Sequence, residues 1–129
     1  MKAFFVVLAV ASLYGCGGSY GGGTTAPPTQ NTNTPPQAGG ISVENNSFNP
    51  SAKTVAVGTT VQWAWNSCVA DPNYGGGTTC TLHSVTFDDG TGSVTQDHGT
   101  FSKVFNTAGT FNYHCLVHGS AMTGTITVQ

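Results

Sequence analysis

Tyr113-His114-Cys115-Leu116-Val117-His118-Gly119-Ser120-Ala121-Met122 holds a thiol, imidazoles and a thioether in one short run. The residues leading into it alternate. From Thr110 to Cys115, the side chains of Phe111, Tyr113 and Cys115 fall on one side of an extended chain, because positions two apart share a face of a strand. The residues after it alternate again: Thr123 to Val128 turns Ile126 and Val128 inward, and Met122 is in phase with them. Cys115 and Met122 therefore face a core from neighbouring strands. His118 lies in the loop between, free to swing toward them.

The same pattern extends upstream. His83 to Phe87 puts His83, Val85 and Phe87 on one face, before a turn at Asp88-Asp89-Gly90. Thr60 to Trp65 aligns Val61, Trp63 and Trp65. Ile41 to Val43, Lys53 to Val57 and Phe101 to Phe105 read as further strands, with turns at Gly58 and at Thr107-Ala108-Gly109. No helical periodicity of useful length interrupts them. About seven to eight short strands separated by turns predict an all-β fold, a Greek-key β-sandwich.

Polar groups facing such a core are rare unless engaged. Two imidazoles, one thiolate and a thioether form the donor set of a mononuclear copper site. Sulfur donors suit Cu(I) and imidazoles suit Cu(II), so a site that half-satisfies both changes little when an electron moves. His83, Cys115, His118 and Met122 are the candidate ligands. Other readings stand beside this one. A lone core Cys is often inert packing. Cys80-Thr81-Leu82-His83 and Cys115-Leu116-Val117-His118 are both Cys-x2-His, the spacing of a structural zinc site, although a continuous strand would turn Cys80 away from His83. A metal-free adhesion sandwich is a third possibility.

Of the four histidines, His98 and His114 remain, both expected at the surface. They cannot build the extra copper centre an oxidase needs, and no second Cys neighbours Cys115 for a binuclear one. Cys115 and His118 lack an orienting third group for nucleophilic catalysis. An enzyme is not expected. Leu116 and Val117 either pack beneath the loop or form an exposed apolar ring around His118.

The chain has 129 residues, enough for one domain, with 6% charged residues and a net charge of −2. No Lys/Arg run exists to follow a phosphate backbone, which excludes nucleic acid as a partner. Lys2 followed by the apolar stretch Ala3 to Tyr14 reads as a signal peptide, residues 1–15, and predicts export to the cell envelope or periplasm. Leu13-Tyr14-Gly15-Cys16 resembles the lipobox of bacterial lipoproteins, which implies lipidation of Cys16 and a membrane tether; an ordinary signal peptide is the alternative. Residues 16–40 then carry the anchor and an uncharged Gly/Thr/Pro linker unable to bury a core. The folded domain is expected at 41–129, as a monomer. Met1 leaves with the signal, so Met122 is the sole methionine of the mature protein.

"YHCLVHGSAM" followed by "TGTITV", together with "HSVTF", resembles the cupredoxins, in particular plastocyanin- and amicyanin-like proteins, across residues 41 to 129. The resemblance implies a β-sandwich with one Cu(I)/Cu(II) ion near one end, held by His83, Cys115, His118 and Met122. It implies one-electron transfer between protein redox partners, with copper capture and delivery as the alternative role. Three features depart from the family. His118 and Met122 are separated by three residues, between the amicyanin and plastocyanin spacings. Ser84 stands where Asn commonly ties the two ligand loops together. Asn66 to Leu82 is a long insertion.

Within that insertion lie Cys68 and Cys80. With Cys115 on the metal and Cys16 on lipid, these two should pair, contributing roughly 2–3 kcal/mol through loop entropy. The stapled loop would sit beside His83 and is expected to join the partner-docking surface.

Overall fold

The structure is a computed structural model and describes residues 33–75 and 77–129. The expected signal peptide, Cys16 and most of the expected linker lie outside the described residues. Eight strands form two four-stranded sheets. The first has the order β2 (Ser47–Asn49), β1 (Ile41–Glu44), β4 (Thr59–Trp65) and β8 (Thr100–Phe105). The second has the order β3 (Ala52–Val55), β10 (Gly119–Val128), β9 (Gly109–Cys115) and β7 (Thr86–Phe87). β1 runs parallel to β4 and β3 parallel to β10; the other neighbours are antiparallel. A separate hairpin, β5 (Cys68–Asp71) with β6 (Gly77–Cys80), brings the described strands to ten.

The alternation read from the sequence is the alternation of the core. Val61, Trp63 and Trp65 of β4 meet Tyr113 and Cys115 of β9 and Ile126 and Val128 of β10 in one buried cluster. Trp63 is its hub: its ring stands edge-on to Phe87 at 5.7 Å and to Tyr113 at 5.4 Å. Completely burying aromatic side chains of this size dominates the stability of so small a sandwich.

Sequence reading found seven of these strands and missed three. β2 follows a two-residue turn, Asn45-Asn46, with Asn46 in the left-handed region at φ 63°. Asn tolerates that conformation, so this turn was a usable signal. The hairpin β5–β6, Cys-Val-Ala-Asp against Gly-Thr-Thr-Cys, buries only Cys68 and has no alternating apolar period to read.

Residues 33–40, assigned by sequence to the linker, contact the sandwich. The Asn33 amide pairs with Cys68 like a short strand, Nδ2 donating to its carbonyl (3.0 Å) and Oδ1 accepting from its N–H (2.9 Å). Thr34 N–H donates to the Trp65 carbonyl (2.8 Å), and Gln37 N–H to Gln62 Oε1 (3.2 Å). A side-chain amide that copies a backbone pair leaves no hydrophobic trace.

Candidate metal centre

Three segments deliver the donors to one end of the sandwich. Cys115 closes β9 and is fully buried. His118, half-buried, lies in the turn between β9 and β10; its N–H donates to the Cys115 carbonyl at 3.3 Å, and its carbonyl accepts from Ala121 N–H at 3.2 Å. His83 was expected at the head of a strand. Instead, the regular strand begins at Thr86, and His83 makes an isolated bridge to Gln96, exchanging two backbone hydrogen bonds of 2.9 Å. Its side chain is nonetheless fully buried, as parity with Val85 and Phe87 predicts.

Cys115 Sγ lies 3.8 Å from His83 Nδ1 and 3.5 Å from His118 Nδ1. The three donor atoms are all within 4.8 Å of one another. The imidazole rings are 4.8 Å apart and tilted by 35°. Sulfur and nitrogen donors sharing one first-row ion, at about 2.3 and 2.1 Å from it, stand roughly 3.5–3.8 Å apart. The triad therefore fits an ion with little rearrangement. His83 Nε2 is enclosed without a hydrogen-bond partner, leaving Nδ1 as the atom directed at Cys115.

Met122 is buried at 1% exposure. The β9–β10 ladder pairs Thr123 with His114, then shifts register so that Gly119 pairs with Cys115. Extending the first pairing by one residue sets Met122 opposite Cys115. Ser120 and Ala121 take up the shift as an exposed bulge. A bulge of this kind re-aims side chains at a strand end, and here it turns Met122 inward.

Ser84, fully buried, joins the two ligand segments. Its N–H donates to Cys115 Sγ at 3.4 Å, and its Oγ accepts from Leu116 N–H at 2.9 Å. The serine thus makes the link that the sequence departure put in question. Sequence reading missed Trp65, whose Nε1 donates to the His83 carbonyl at 3.3 Å. A buried indole N–H needs an acceptor, so Trp65's inward phase was a partial signal. Nothing in the sequence pointed to Gln96.

Burial first, then repulsion from the neighbouring His118, pushes His83 down to about 4. At neutral pH its imidazole is uncharged and ready to donate a lone pair. The unfolded chain would protonate near 6.5, whereas the fold resists protonation down to about 4. Stability is therefore complete above that unfolded value and declines as pH falls through the interval. In the metal-free protein, the urea midpoint should fall steadily from pH 6.5 to pH 4; a flat midpoint across that window would contradict the assignment.

The Cys2His2 zinc reading loses a ligand, because Cys80 is bonded to Cys68 across the base of the hairpin. No other group of three or more His, Cys, Asp or Glu side chains is gathered among the described residues. His98 is exposed and paired with Asp97. His114, expected to be exposed, is half-buried on the outer face of β9, where it lines a shallow groove with Asn112 and Thr123. Leu116 and Val117 are 61% and 51% exposed, so they flank His118 as an open apolar rim rather than packing beneath the loop. One thiolate, two imidazoles and a nearby thioether fit a single copper ion.

No family model matches the chain. Over 96 residues it is 32% identical to plastocyanin from Scenedesmus fuscus, a match covering 64% of this chain and 86% of that protein. Among solved structures, the reduced Cu(I) form of an amicyanin variant superposes with a TM-score of 0.55 at 24% identity, covering 70% of this chain and 80% of the other. A purple cupredoxin from Nitrosopumilus maritimus gives a TM-score of 0.55 at 21% identity, covering 70% and 98%. With the plastocyanin relative matched over most of its length and the two sheets shared with these structures, the chain belongs to the plastocyanin family of cupredoxins.

Proposed function

We propose that this protein is a one-electron carrier whose copper ion would be held by His83, Cys115 and His118, with Met122 as a fourth, weaker donor. The observation that supports it most is the convergence of Cys115 Sγ and two Nδ1 atoms within 4.8 Å at the buried end of the sandwich. Copper, when bound, supplies the one-electron couple. The chain's own residues supply the rest. Ser84 hydrogen-bonds the Cys115 sulfur and fastens its loop to the His83 segment. Fully buried His83 and Cys115 keep water out, and such burial favours retaining the ion over handing it on.

Half-buried His118, rimmed by Leu116 and Val117, is the route to partners. These partners are other redox proteins that press an apolar surface onto this rim. With few charges nearby, docking should depend weakly on salt. The protein works as a monomer and performs no catalysis of its own. It is exported, which suits the Cys68–Cys80 disulfide, and it is tethered through lipid on Cys16. Voltammetry of the copper-loaded protein tests the carrier reading. A reversible one-electron wave that survives many cycles without copper loss is expected. Irreversible waves, or release of copper on reduction, would contradict it.

A further inference from the structure

We propose that the base of the β5–β6 hairpin, comprising Trp65, Ser67 and the Cys68–Cys80 disulfide, positions His83 for the metal. This rests on the reading of His83 as a copper ligand. His83 cannot be oriented by its own strand, since among the described residues its ladder contact is the isolated bridge to Gln96. What holds its lead-in is the hairpin base. Thr81 N–H donates to the Ser67 carbonyl at 3.2 Å, and Ser67 Oγ donates to the Thr81 carbonyl at 2.8 Å. One residue further out, Cys80 is covalently tied to Cys68, whose backbone is gripped by Asn33. From beneath, Trp65 Nε1 donates to the His83 carbonyl at 3.3 Å.

Burial follows the same division. Trp65 and Ser67 are fully buried and Cys68 is 7% exposed, whereas Val69, Ala70, Pro72, Asn73, Thr78 and Thr79 toward the tip are exposed. Within the insertion, the buried residues Ser67 and Cys68 sit at the hairpin base, Cys80 and Thr81 opposite them are partly covered, and Leu82 is exposed. One side of the base continues β4, which the aromatic core immobilises; the other runs directly into His83. The disulfide and the Ser67 bonds transmit the rigidity of β4 to the ligand across this gap. A ligand held in this way moves little between oxidation states and is slow to let go.

Amide hydrogen exchange in the metal-free protein tests this. The variants are Ser67→Ala, Cys68→Ala with Cys80→Ala, and Ser67→Thr as the rescue that keeps the hydroxyl. In the first two, the His83 and Gln96 amides should exchange about tenfold faster, the equivalent of roughly one hydrogen bond, while Phe111 and Ile126 in the β9–β10 ladder stay within about twofold. Loaded with copper, both variants should lose it to a chelator about five- to tenfold faster, and Ser67→Thr should restore both rates. A hairpin shortened at residues 72–75, with its disulfide kept, should behave as the parent. Exchange at His83 that is unchanged, or that rises only in step with Phe111 and Ile126, overturns the proposal, as does a response confined to one variant. Because the exchange readout needs no metal, failure to bind copper would sink the ligand reading and leave this measurement standing.

Discussion

Replacing Cys115 by serine should abolish the intense thiolate-to-copper absorption completely and weaken copper binding more than about 100-fold. Losing a contact that merely orients a ligand costs about 10- to 100-fold in affinity, and here a ligand itself is lost. A serine hydroxyl stays protonated where a thiol ionises, so no strong anionic donor replaces it. The fold should survive. Position 115 is fully buried, but serine Oγ can still accept the hydrogen bond that Ser84 N–H now gives to sulfur at 3.4 Å. Circular dichroism should be unchanged while the visible band is absent. A variant that remained blue would show that the sulfur is not a ligand.

The second large effect concerns folding. Gly124 lies directly across from Tyr113 in the β9–β10 ladder. A Cβ at position 124 would overlap the Tyr113 ring, standing 2.6 Å from Cε2 and nearer still to Cζ and Oη. The ring has nowhere to go. It is 1% exposed, with Phe48 at 4.8 Å, Phe87 at 5.3 Å and Trp63 at 5.4 Å between centroids. Overpacking a closed core costs about 1–3 kcal/mol, so Gly124→Ala should lower the melting temperature by about 10 °C. Tyr113→Leu removes the obstacle. In that background, Gly124→Ala should cost under about 0.5 kcal/mol, giving a coupling energy of opposite sign in a double-mutant cycle. Equal costs in both backgrounds would show that the contact is not the cause.

What was legible in the sequence, and what was not, divides along physical lines. Cys115, His118, His83 and Met122 stood out because sulfur and imidazole groups are few in this chain, and because strand parity declares which side chains face inward. The same parity gave the core faces of β4, β9 and β10. Ser84, Trp65 and Gln96 act through backbone groups far away in sequence, and such bonds impose no periodicity. The hairpin was hidden for a related reason. Its strands pair backbone to backbone and bury only Cys68, with no alternating apolar face, so only its two cysteines were informative. Asn33 escaped because one amide does the work of a strand at a position where composition reads as linker.

The most direct measurement is a crystal structure of the copper-loaded protein, with the metal located by its anomalous scattering. The expected result is one ion bonded to Cys115 Sγ and to Nδ1 of both His83 and His118, with Met122 sulfur on the axis. An ion bound elsewhere, or a Cys115 sulfur left unbonded beside an empty triad, would contradict it.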